Sequence, residues 1–142
     1  MKIQERAVLH NRFDVKVVDA ESGIIKQTAV GFNVITNYYF NCRLTGSPIS
    51  KTSDLFRYIA IGTGTGTPAV TDTALFSHLT RKAVTTLETV YEYPTSHITK
   101  QIKLEATECN GSTITEVALE GVYSGTWSDS YYIMSHAMLQ DS

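Results

Sequence analysis

At 142 residues, with 42% hydrophobic and 18% charged residues and a formal net charge of -2, the chain has the length and apolar content of one domain, 1–142, that buries its core without staples. The mild acidity offers no basic stripe to a nucleic acid, and no apolar window approaches the roughly 20 residues a membrane-spanning helix needs. Met1 to Arg6 carries an early acid and no apolar stretch, so no secretory leader is expected and the chain folds in the compartment where it is made.

Arg12-Phe13-Asp14-Val15-Lys16-Val17-Val18-Asp19 alternates apolar and polar residues and predicts a half-buried strand. Ala20 to Gly23 supplies turn chemistry. Ile24 to Val34 resumes the alternation with Thr28, Val30, Phe32 and Val34 on one side, which completes a hairpin. From Thr36 to Leu44 the period changes: Ile35, Tyr38, Tyr39 and Cys42 recur at helical spacing, with Asn33 or Thr36 as cap and Gly46 as stop. Ser47 to Asp54 is a polar, proline-bearing connection, and Leu55 to Ile61 reads as the next strand.

The run Ile61-Gly62-Thr63-Gly64-Thr65-Gly66-Thr67-Pro68 follows that strand and looks like a nucleotide-binding loop. A Walker loop ends in Gly-Lys-Ser/Thr, and here no lysine occurs between Lys51 and Lys82. A dinucleotide fingerprint needs Gly-x-Gly-x-x-Gly opening a helix, whereas these glycines recur every second residue and a proline follows. The run therefore reads as structure. Gly62, Gly64 and Gly66 permit positive φ or close backbone approach, and Thr71 and Asp72 are expected to cap a one- or two-turn helix carrying Leu75, Phe76 and Leu79.

The second half reads almost wholly as strand. Thr80 to Tyr93 is rich in Thr, Val and Tyr, and Pro94-Thr95-Ser96 breaks it. His97 to Cys109 alternates Ile98, Ile102, Leu104 and Ala106 against Gln101, Lys103, Glu105 and Thr107. Asn110-Gly111 predicts a hairpin turn, answered by Thr113 to Val122 with Val117 and Leu119 against Glu116 and Ala118. A Gly/Ser/Asp-rich bend from Gly121 to Ser130 holds the single Trp127, and Tyr131 to Leu139 closes the chain as a low-charge strand suited to pairing with a neighbouring subunit. The expected fold is mainly β, an antiparallel β-sandwich or small barrel with one or two short helices.

Residues that carry chemistry are dispersed in the sequence. His10, His78, His97 and His136 fall on separate elements with no His-x-x-x-His pair, so no metal site is predicted. No Gly-x-Ser-x-Gly elbow is present. Pairs such as Glu88 with Glu92 or Glu105 with Glu120 read as the solvated face of alternating strands. Cys42 and Cys109 read as free thiols, and Asn110-Gly111-Ser112 as a turn rather than a glycosylation site. Tyr38, Tyr39, Trp127, Tyr131 and Tyr132 are the candidate interface residues. Neither a catalytic residue nor a cofactor is expected.

Five segments carry a resemblance. They are Asn11 to Val15, Asp19 to Gly23 with Lys26-Gln27, Asn33 to Asn37, above all Ile61 to Phe76, and Ile114 to Leu119, where Ala118 stands in place of a usual glycine. Over residues 11 to 122 the chain resembles a small structural domain of tailed-bacteriophage virion proteins, found in tail, neck and fibre-associated components. The resemblance implies a non-enzymatic building block, made in the host cytoplasm and located in the virion. Its implied partners are other virion proteins and further copies of itself, with neither nucleic acid nor membrane bound. The alternatives are a decoration or cement protein on the capsid head, and a module that binds a host-surface glycan.

Overall fold

The computed structural model describes residues 11–92 and 95–142. The expectations placed on Met1 to Arg6, His10, Tyr93 and Pro94 lie outside the described residues.

The first hairpin forms as its alternation predicts. Strands β1 (Arg12–Val18) and β2 (Ile25–Phe32) pair antiparallel from Arg12↔Phe32 to Val18↔Ile25. Asp19 closes the turn by accepting from the Glu21 and Ser22 amides and pairing with Lys26 at 2.7 Å. The Lys26 contact foremost, then the bonds from Ser22, hold its carboxyl down at about 2. The buried face differs from the expected one. Phe13 lies opposite Gly31, whose missing side chain lets β2 lie against Ala137 and Leu139. Phe32 consequently points outward, 72% exposed, with the Arg12 guanidinium over its ring. A short strand β10 (Gln140–Asp141) joins β2, giving the order β1-β2-β10.

After β3 (Val34–Ile35) comes the expected helix, α1 (Asn37–Thr45). Thr36 is its cap: the hydroxyl accepts from the Tyr39 amide and donates to the Ile133 carbonyl at 2.6 Å. Gly46 ends the helix at φ 68, its N–H bonded to the Cys42 carbonyl. The polar connection ends in a second short helix, α2 (Thr52–Leu55), which takes Leu55 into the core at 1% exposure. The following strand, β4 (Tyr58–Gly62), therefore starts three residues later than expected.

No helix follows the glycine run. The segment from Thr63 to Ser77 is irregular, with a turn at Ala69–Asp72, and β5 (His78–Ala83) then pairs with β4. The long strand expected from Thr80 is two strands, since the Val84 amide bonds the Arg57 carbonyl and redirects the chain into β6 (Thr85–Val90). Among the described residues β6 pairs only with β7 (His97–Gln101), as a separate two-stranded ribbon. β7 stops well before Cys109 because the Glu108 carboxylate accepts from the Glu105 amide and from Lys82, folding this stretch on itself. Gly111 does turn, at φ 79, but it joins no paired strands.

β8 (Glu116–Ser124) and β9 (Asp129–Met138) form the longest hairpin, closed by the Gly125 amide on the Ser128 carbonyl. They complete a five-stranded sheet of order β3-β9-β8-β4-β5. β9 is thus not an edge strand: β8 pairs along it, and β3 takes Ser135 and His136 on the other side. All pairings are antiparallel, and the described residues form a sandwich-like arrangement with no closed barrel. On one face of the large sheet Ile59, Ile61, Val117 and Ala137 pack with Phe13 of the small sheet. On the other, Ala60, Ala118 and Ile133 pack under Leu75, while Met134, on the Val117 and Gly121 side, meets Cys42, Ile49 and Leu55 of the helical region. Among the described residues no helix is long and apolar enough to cross a membrane.

Candidate functional site

β8 is buried on both faces, so its acidic residues are not the solvated ones the alternation implies. Glu116 is 0% exposed and Glu120 4%. Glu120 pairs with Arg81 at 2.7 Å, and the Arg81 guanidinium lies 4.0 Å from the centre of the Tyr131 ring. Glu105, Glu88 and Glu92 do remain exposed.

Glu116 is the centre of the only cluster of fully buried titratable groups among the described residues. Its Oε1 accepts from the amides of Gly64 at 2.9 Å and Ser77 at 2.7 Å. Its Oε2 accepts from the Phe76 amide at 2.9 Å and faces His136 Nε2 at 2.8 Å. His136, 0% exposed, places its other ring nitrogen 2.8 Å from Asp72 Oδ2, which also accepts from the Ala69 amide at 2.9 Å. A neutral imidazole has one N–H, so contacts from both ring nitrogens to carboxylates call for a second ring proton or a protonated carboxyl at one end. Burial raises the Glu116 carboxyl, but the Ser77, Phe76, His136 and Gly64 bonds together outweigh it and leave the group below its usual value.

This geometry explains the glycine run. One amide of the run, that of Gly64, does bind an anion together with the Phe76 and Ser77 amides, and the anion is the chain's own Glu116. A Cβ on Gly62 would strike the Ser77 carbonyl and approach Glu116 Oε1 to 2.5 Å, and one on Gly64 would strike Phe76 and approach the same oxygen to 2.5 Å. Close approach, not positive φ, is what both positions require. Gly66 packs on the Phe76 ring. Thr115 fastens the loop from the other side, its amide on the Gly62 carbonyl and its hydroxyl on the Gly64 carbonyl at 2.6 Å. Asp72 is a cap, but for the turn at Ala69 and for His136 rather than for a helix, and Thr71 is an exposed turn residue. The expected helix is displaced because Phe76 and Ser77 donate their amides to Glu116 instead of to helical carbonyls.

Chemically, Glu116 is saturated. Two hydrogen bonds at each oxygen fill the four acceptor positions of a carboxylate. Among the described residues no group of three His, Cys, Asp or Glu converges as metal ligands would. His78 and His97 are exposed.

The five aromatic interface candidates do not form one patch. Tyr38 stacks on Tyr132 at 4.3 Å, Tyr39 on Phe56 at 5.6 Å, and Tyr131 meets Tyr58 edge-on at 5.4 Å. Burial pushes the Tyr38 hydroxyl above its usual pKa. Trp127, on the β8–β9 turn, is 97% exposed. The sequence reading missed Glu116 and His136 as partners. The available signal was His136 itself, an ionisable residue within the apolar run Tyr131 to Leu139. Set against protein-family models, curated proteins and solved structures, the chain matches none of them.

Proposed function

We propose that this chain is a non-enzymatic structural protein of a tailed-phage virion, a tail, neck or baseplate component that works by packing against copies of itself and other virion proteins. The observation that carries the non-enzymatic part is the saturation of Glu116: the most heavily buried set of ionisable groups holds the glycine run in place and keeps no acceptor for a substrate. The virion assignment rests on the sequence resemblance centred on that same run. Exposed apolar side chains at strand ends, among them Val17, Val18, Ile24, Ile25 and Phe32, support association.

An antibody raised against the purified chain, applied to tailed particles whose genome encodes it and viewed by electron microscopy, tests the assignment. Label at the tail, neck or baseplate is expected. Label over the head surface would favour a decoration protein, and unlabelled particles would overturn the reading.

One observation favours a second reading. An indole left 97% exposed on a tight turn is the kind of platform on which sugar rings stack. Glycan-array binding that is lost in Trp127→Ala would replace the packing role with recognition of a host-surface glycan.

A further inference from the structure

Resting on the homo-oligomeric reading above, the strand edges narrow which surface meets a second copy. The two larger sheets end in β1 and β10, and in β3 and β5. β3 and β10 have two residues each, too few to carry an interface. β5 offers Arg81 and Lys82 with no acid, and both cations already bind Glu120 and Glu108. β1 is seven residues long, and no strand among the described residues pairs with its outer edge.

β1 is complementary to itself. Laid antiparallel on a second copy about Val15, the strand sets Asp14 opposite Lys16 and Lys16 opposite Asp14, with Phe13 facing Val17 and Arg12 facing Val18. Its charges are free to respond. Lys16 is exposed and holds no ion pair or hydrogen bond among the described residues. Asp14 is 58% exposed, and Arg12 engages only its Oδ1. The apolar side chains also match. Val18 and Ile25 of one copy, about half exposed, come alongside Arg12 and the exposed Phe32 of the other, while Val17 adds to the inner face beside Phe13.

We propose that β1 pairs antiparallel with β1 of a second copy about Val15, joining two three-stranded sheets into one of six strands. Charge complementarity selects this occupant over an unrelated edge.

The test combines charge reversal with a cross-link that reads the register. Lys16→Asp sets acid against acid and Asp14→Lys sets lysine against lysine; each is expected to weaken self-association about tenfold or more by light scattering. The double variant Asp14→Lys/Lys16→Asp restores the pairing and the wild-type mass. Val15→Cys, in a Cys109→Ser background, is expected to form an intermolecular disulfide, because opposed residues of antiparallel strands lie about 4.5–5.5 Å apart at Cα. Val17→Cys, opposite Phe13, should not. Circular dichroism confirms that each variant is folded, and if a charge variant is not, the Val15→Cys cross-link decides. Single variants that keep the wild-type mass, a Val15→Cys chain that stays reduced, or an odd-numbered oligomer would overturn β1 pairing while leaving self-assembly standing. A monomeric wild type would overturn both.

Discussion

At the scale of single residues, the glycines at 62 and 64 are fixed by a carboxylate. Gly64→Ala forces a methyl against Phe76 and Glu116 Oε1 and is expected to cost about 2–3 kcal/mol in urea unfolding. Gly23→Ala is the contrast: φ is +72 but nothing lies within 4 Å of the added atom, so about 1–2 kcal/mol of backbone strain is the whole expected effect. Equal losses at the two positions would mean that the close approach carries no weight. Glu116→Gln leaves donors at one oxygen unmatched and is expected to lose about 2–3 kcal/mol. It also changes the acid limb of stability. The Glu116 carboxyl is depressed below 4.5 in the folded chain, so its contribution is complete above the unfolded value and disappears as pH falls through the folded one. Melting temperature measured from pH 6 down to pH 2 should therefore fall less steeply in Glu116→Gln than in the wild type.

At the scale of elements, legibility in the sequence followed burial. β1 and α1 were readable because one face of each meets the core, so a period of two or of 3.6 appears in the residues, whereas β2 was readable as a strand but not in its buried face, which Gly31 and not Phe32 supplies. β8 was readable as a strand but its polar face was not, because loop 63–77 and Arg81 cover Glu116 and Glu120 from the side where alternation implies water. The helix expected after Thr71 failed for a tertiary reason, the capture of the Phe76 and Ser77 amides by a residue some 40 positions away. Local propensity carries no trace of such a partner. The same holds for the candidate site, where Gly62, Gly64 and Asp72 were visible as loop and cap residues while Glu116 and His136, which give them their role, were not. The β6–β7 ribbon is the opposite case, strand-like in sequence but with most of its residues exposed and no third strand among the described residues. Amides of β6 and β7 are expected to exchange with deuterium at least about tenfold faster than those at the centre of β8 and β9. Comparable protection across both would show that the ribbon is held by contacts the monomer does not contain.

At the scale of the whole molecule, the interior is closed around its own charges and the exterior is left with unmatched edges and apolar side chains. Glu116, His136, Asp72, Glu120 and Arg81 are all engaged with one another or with the backbone, whereas Lys16, Val18, Ile25 and Phe32 around β1 are engaged little or not at all among the described residues. That division suits a part whose work is done at its surface. If the Asp14–Lys16 contacts between copies contribute, self-association should weaken as salt rises from about 0.05 M to 0.5 M, since exposed pairs are screened over that range. The most direct measurement is the mass of the wild-type chain by light scattering across a concentration series. An even multiple of the 15.7 kDa chain mass that persists on dilution into the micromolar range is the predicted result, and a mass that stays at 15.7 kDa up to the highest concentration reached would contradict it.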